Sequence, residues 1–129
     1  MTKKVLVVDD NMAITLALNI RLRAAGYEVS SAADGVSALK AVQENRPDVI
    51  LLDVRMPGMD GFEVKRRLRA VPELRDIPVI FLSAHAQEAT RQDAFAAGAK
   101  YFLPKPYDAA QLIAVIEAVV EEARCAAKD

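Results

Sequence analysis

Short apolar runs rich in β-branched residues alternate along the chain with longer stretches whose apolar positions recur every three or four residues, the signature of repeated βα units. Strands are expected near Lys4–Val8, Glu28–Ala32, Asp48–Leu52, Val79–Leu82 and Tyr101–Leu103. They are short and mostly continuous in hydrophobicity, as strands covered on both faces must be. The first helix is expected over Met12–Ala25, burying Ile14, Leu18 and Leu22 and stopping at Gly26, a residue suited to a left-handed cap. The second runs over Val36–Asn45 and ends before Pro47. A third begins after Asp60, a good N-cap, and carries Phe62, Val64, Leu68 and Val71 inward with a basic outer face. A fourth is expected over Gln87–Ala97, closing at Gly98. The last, Ala109–Arg124, aligns Leu112, Ile113, Ile116, Val119 and Val120 on one stripe, with Asp108 placed to cap it.

Five strands alternating with five helices predict an α/β fold: a five-stranded parallel sheet whose right-handed crossovers put helices on both faces. In such open sheets chemistry gathers at the carboxyl ends of the strands. The residues there are Asp9 and Asp10 after the first strand, Asp53 after the third, Ser83 after the fourth and Lys105 just past the fifth. Each alone has a duller reading as a cap, turn or surface residue. Together they bring three acids, a hydroxyl and an amine to one rim.

Charge crowding then calls for a cation. Carboxylates ~4 Å apart repel by about 4 kcal/mol at an effective dielectric near 20. Lys105 supplies one positive charge, and a hard divalent ion that takes oxygen ligands supplies the rest, which suits magnesium, with manganese as the alternative ion. With metal and amine neutralising the transferring oxygens, the Asp53 carboxylate can act as a nucleophile toward a phosphoryl group.

Composition changes this picture little. The 129 residues, 53% hydrophobic and 27% charged with a formal net charge of −1, suit one globular domain over residues 1–129 with no separate output domain, and nothing in bulk charge favours nucleic acid. Apolar runs such as Val5–Val8 and Val49–Leu52 are too short to cross a bilayer, and the opening Met1-Thr2-Lys3-Lys4 leads into a strand, so a cytoplasmic protein is expected. Cys125 is the lone cysteine, which precludes an internal disulfide. Lys65, Arg66, Arg67 and Arg69 read as a solvated basic face of the third helix, and Val115 and Ala118 as positions off the last helix's main stripe that could meet a partner.

The stretches Val7-Val8-Asp9-Asp10, Leu52-Asp53-Val54-Arg55-Met56-Pro57-Gly58-Met59-Asp60-Gly61, Leu82-Ser83-Ala84 and Pro104-Lys105-Pro106 resemble the motifs of bacterial two-component receiver domains, and the match spans nearly the whole chain. The resemblance implies a chemotaxis-type, flavodoxin-like sheet in the order 2-1-3-4-5. It implies that Asp53 accepts phosphate from the phosphohistidine of a sensor histidine kinase or phosphotransfer protein, and that Asp10 binds magnesium directly, Asp9 largely through water and Arg55 through its backbone carbonyl. Ser83 and Lys105 would each meet a phosphoryl oxygen, and the Lys105–Pro106 bond would be cis, a modest cost before proline.

Phosphorylation adds roughly −1.5 to −2 charges and three acceptor oxygens, so Ser83 and Lys105 gain partners in one state only, which biases a two-state equilibrium. By resemblance, Phe102 takes the place of an inward-turning aromatic that is Tyr in most relatives; it keeps the packing and lacks the hydroxyl. Tyr101 points to the opposite side of a regular strand. Arg55 and His85 occupy the two positions that tune the phosphate's lifetime. Lys100 stands where dimerising DNA-binding members usually carry acids, so a monomer or weak dimer is expected, controlling an unidentified downstream protein without direct nucleic-acid or membrane contact. The alternatives are a magnesium-dependent phosphatase with an Asp nucleophile and an interaction module that no longer takes phosphate.

Overall fold

The computed structural model describes residues 3–83, 92–93, 95–96, 101–105 and 108–128, with side chains in the final helix described as far as Ala123. Five strands, β1 (Lys4–Val8), β2 (Glu28–Ala32), β3 (Val49–Asp53), β4 (Val79–Ser83) and β5 (Tyr101–Pro104), form one sheet in the order β2-β1-β3-β4-β5. Every pairing is parallel, with Val8 opposite Leu52, Asp53 opposite Leu82 and Ser83 opposite Pro104. The order matches the sequence expectation. The strand ends differ slightly: Asp53 and Ser83 are the last residues of β3 and β4 instead of the first residues beyond them, so both are held by the ladder.

Helices α1 (Met12–Ala24), α2 (Gly35–Glu44), α3 (Gly61–Arg69) and α4 (Ala109–Lys128) connect or cover the strands. A short polar side chain opens each one by accepting an otherwise orphaned backbone N–H. Asn11 accepts from Ala13 at 3.0 Å, Asp34 from Ser37 at 2.7 Å, Asp60 from Glu63 at 2.9 Å and Asp108 from Ala110 at 2.9 Å. At the far end of α1, Gly26 takes φ 98°, the left-handed conformation that an L side chain would strain.

The expectation of five helices requires correction, because the described residues form four. Of the anticipated helix over Gln87–Ala97, only Gln92, Asp93, Phe95 and Ala96 are described, each with helical backbone; the rest of the stretch lies outside the described residues. Four of the eleven residues in the stretch are alanine, which buries little apolar area per residue. Its one large apolar side chain, Phe95, is 50% exposed.

Alternation along the strands divides the core into two layers. Leu6, Val8, Ile50, Leu52, Val79 and Phe81 pack against Ala38 and Val42 of α2 and Val64 and Leu68 of α3. Val5, Val7, Val49, Leu51, Ile80, Leu82 and Leu103 pack against Leu18 and Leu22 of α1 and Leu112, Ile116 and Val119 of α4. Tyr101 and Phe102, neighbours in β5, go to opposite layers as a regular strand requires. Two surface expectations change. Lys65 is buried, so the basic face of α3 reduces to its arginines, of which Arg66 and Arg67 both pair with Glu63. Val115 packs against the α1/α4 layer, while Ala118 is exposed.

Candidate functional site

The carboxyl rim of the sheet collects the predicted side chains, and the pleat sends Asp9, Asp53 and Lys105 to the same side. Asp9 continues the Val5–Val7 side of β1, Asp53 the Val49–Leu51 side of β3, and Lys105 the Tyr101–Leu103 side of β5. Carboxylate oxygens of Asp9, Asp10 and Asp53 all lie within 4.8 Å of one another. Asp9 and Asp53 are buried, and Asp10 is exposed at the mouth.

Lys105 reaches the acids from just past the end of β5. Its backbone N–H donates to the Ser83 carbonyl at 2.7 Å, and Nζ donates to Asp9 Oδ2 at 2.8 Å while standing 3.6 Å from Asp53 Oδ2. The second oxygen of Asp9 accepts the Asn11 N–H at 2.9 Å, and Asp53 Oδ1 accepts the Arg55 N–H at 3.3 Å. Ser83 is buried at the end of β4. The Arg55 side chain projects into solvent, whereas Phe102 packs partly buried against the α2/α3 layer. His85 and Pro106 lie outside the described residues, and with them the expected cis bond; Lys100 does too.

Burial pushes the Asp53 carboxyl above the usual aspartate range. Lys105 and the Arg55 N–H favour the ionised form, and Asp9 and Asp10 oppose it. One ammonium therefore does not balance three crowded carboxylates. An all-oxygen donor set with residual negative charge fits a hard divalent cation, and among the described residues no His or Cys joins the cluster to favour zinc.

Two features escaped sequence reasoning. Gly61, the first residue of α3, sits against the backbone of Asp53 and Val54. Helix α1 also has a second apolar face: Met12, Leu16 and Ile20, at i, i+4 and i+8, are 80%, 64% and 61% exposed. The Ile14, Leu18 and Leu22 face packs inward as the sequence reading expected; the second stripe, which it did not single out, turns to solvent.

A doubly wound sheet whose carboxyl rim joins a buried aspartate, an acid pair and a lysine defines a metal-assisted phosphoacceptor. Residues 5–117 match the response regulator receiver domain, and the chain belongs to that family. It is 43% identical over 117 residues to the transcriptional regulatory protein PrrA of Mycobacterium tuberculosis, a match covering 91% of this chain and 49% of that protein. The chain thus spans about half the length of that curated relative. It is similar to the chemotaxis response regulator CheY4 of Vibrio cholerae, with a TM-score of 0.87, 37% identity and coverage of 92% of this chain and 99% of that one. It is also similar to the receiver domain of the sensor histidine kinase PA1611 from Pseudomonas aeruginosa, whose structure has a magnesium ion coordinated in the active site cleft; there the TM-score is 0.86, the identity 32% and the coverage 94% and 99%. The chain thus belongs to the aspartyl-phosphate receivers of two-component signalling, and Asp9, Asp10 and Asp53 form the cluster that could hold a metal ion. Among the described residues no helix is long and apolar enough to cross a membrane.

Proposed function

We propose that the chain takes a phosphoryl group from a protein phosphohistidine onto Asp53 and signals by rearranging Lys105, Ser83 and Phe102 around it. The observation that carries this reading is the position of Lys105 Nζ, hydrogen-bonded to Asp9 yet only 3.6 Å from the acceptor carboxylate. An Asp53 carboxylate oxygen attacks phosphorus, the bond from phosphorus to the donor imidazole breaks, and that nitrogen leaves with the electron pair. The product is an acyl phosphate on Asp53. Its new oxygens compete with Asp9 for the Lys105 ammonium, and the Ser83 hydroxyl donates to another of them. Asp9, Asp10, Asp53 and the Arg55 carbonyl would hold magnesium, which would supply positive charge beside the transferring oxygens. Phe102, already against the α2/α3 layer, fills the space that the β4 end vacates as Ser83 moves toward the phosphate.

A phosphohistidine on a protein must reach the rim where Asp10 is exposed. Helix α1 begins two residues later and carries the outward Met12, Leu16 and Ile20 stripe, which suits an apolar face of the phosphodonor beside its histidine. The likeness to a receiver domain of a histidine kinase supports a kinase or phosphotransfer partner.

Incubation with acetyl phosphate and magnesium, followed by intact-mass measurement, tests the reading. One phosphoryl group is expected on the wild type and none on Asp53→Asn. Labelling that persists in the variant would overturn Asp53 as the acceptor.

A further inference from the structure

We infer that Gly61 is a positioning residue for phosphoryl transfer, its missing side chain letting the end of α3 press directly on the backbone that carries Asp53. A methyl group on Gly61 would collide with the Asp53 carbonyl oxygen and stand 3.0 Å from Val54 Cα and 3.2 Å from the Asp53 carbonyl carbon. These are backbone atoms, so no side chain can swing aside to make room. The reason for glycine here is space alone, because positive φ occurs at Gly26 and Gly58 and not at Gly61.

Hydrogen bonds make the contact a brace. The Gly61 N–H donates to the Val54 carbonyl at 2.9 Å, and the Val54 N–H donates to Leu82 of β4 at 3.1 Å. The loop between β3 and α3 is thereby closed at its base, with Asp53 on one side and α3 on the other. The Asp53 carbonyl carbon is bonded to the Cα that bears the acceptor side chain. Any shift forced there moves the acceptor oxygens relative to Lys105 Nζ and the Arg55 N–H, which lie 3.6 Å and 3.3 Å away. Misplacement by about 1 Å can slow a positioned reaction on the order of a hundredfold.

Gly35 provides a control within the same molecule. It too is buried and opens a helix after a capping aspartate, but a methyl group there would meet side-chain atoms, Met59 Cβ at 2.9 Å, Met59 Sδ at 3.0 Å and Val64 Cγ2 at 3.0 Å. Gly35→Ala presses on side chains of the same loop and helix, with no collision against the Asp53 or Val54 backbone.

The inference rests on Asp53 as acceptor, a reading that wild-type labelling tests separately in the same assay. Gly61→Ala and Gly35→Ala are compared with wild type in acetyl phosphate labelling rate at saturating magnesium chloride and in magnesium affinity by calorimetry, each at a fixed interval below its own thermal midpoint. Gly61→Ala is expected to label about ten- to hundredfold more slowly and to bind magnesium several-fold more weakly, whereas Gly35→Ala stays within about threefold of wild type in both. Equal losses in the two variants, or a wild-type rate in Gly61→Ala, would overturn the inference. Should Gly61→Ala not fold, Asp60→Ala frees the helix end without adding bulk. A labelling rate lowered about threefold or more supports the brace, and an unchanged rate refutes it.

Discussion

Lys105, partly buried, pairs with the buried Asp9 at 2.8 Å, closer than the 3.6 Å separating the same ammonium from the acceptor Asp53. The amine is thus parked on a neighbour before phosphorylation and has an alternative partner within reach afterwards. Breaking a buried pair by removing one member leaves an uncompensated charge, at about 3 kcal/mol. Lys105→Met is therefore expected to lose roughly that much stability in chelator-treated protein, as read by urea unfolding. Added magnesium should restore part of the loss, since the ion takes over the neutralising role.

Asp53→Asn should raise the stability of metal-free protein at neutral pH by on the order of 1 kcal/mol, because it removes a buried charge crowded by two others. The pH dependence has a definite sign. Burial raises the folded-state pKa of Asp53 above its unfolded value, so the ionised carboxylate is a penalty present in full above the folded pKa and lost as pH falls to the ordinary aspartate range. The advantage of the variant over wild type should shrink on acidification in chelator. An advantage that is constant with pH would contradict the burial account.

Magnesium binding only to the folded cluster must raise the unfolding free energy by mass action, about 2.7 kcal/mol at one hundred times the dissociation constant. Asp10→Asn removes the exposed member of the cluster without disturbing the Lys105–Asp9 pair, and is expected to lose most of that stabilisation. Asp108→Asn, which leaves a competent cap at α4, should respond to the ion as wild type does.

Substituting Leu16 or Ile20 by Lys on the outward face of α1 should change stability by no more than about 0.5 kcal/mol, because both side chains are already in solvent. Labelling by acetyl phosphate should be unaffected. Transfer from a panel of phosphohistidine-bearing phosphotransfer proteins is expected to slow about tenfold or more. Unchanged transfer from a donor that phosphorylates wild type would remove α1 from the docking surface.

Asp60, which caps α3, and Lys65, five residues on within it, show where sequence reasoning succeeds and where it stops. Asp60 was legible as a cap because capping is settled within three residues of backbone, as were Asp108 and the stop at Gly26. Strand ranges, the alternation of Tyr101 with Phe102, and the gathering of Asp9, Asp10, Asp53 and Lys105 at one rim also follow from short-range periodicity joined to the handedness of βα crossovers. Lys65 looked like part of a charged surface, yet it is buried, because burial depends on elements distant in the chain. In α1 the buried face of Ile14, Leu18 and Leu22 was read correctly, but the second apolar stripe left in solvent was not singled out. The choice of Asp9 as the resting partner of Lys105, and the close seat of Gly61 on the Asp53 backbone, are likewise tertiary decisions. Local patterns encode which groups reach the rim; contacts of a few ångströms between separate βα units decide how those groups are paired once there.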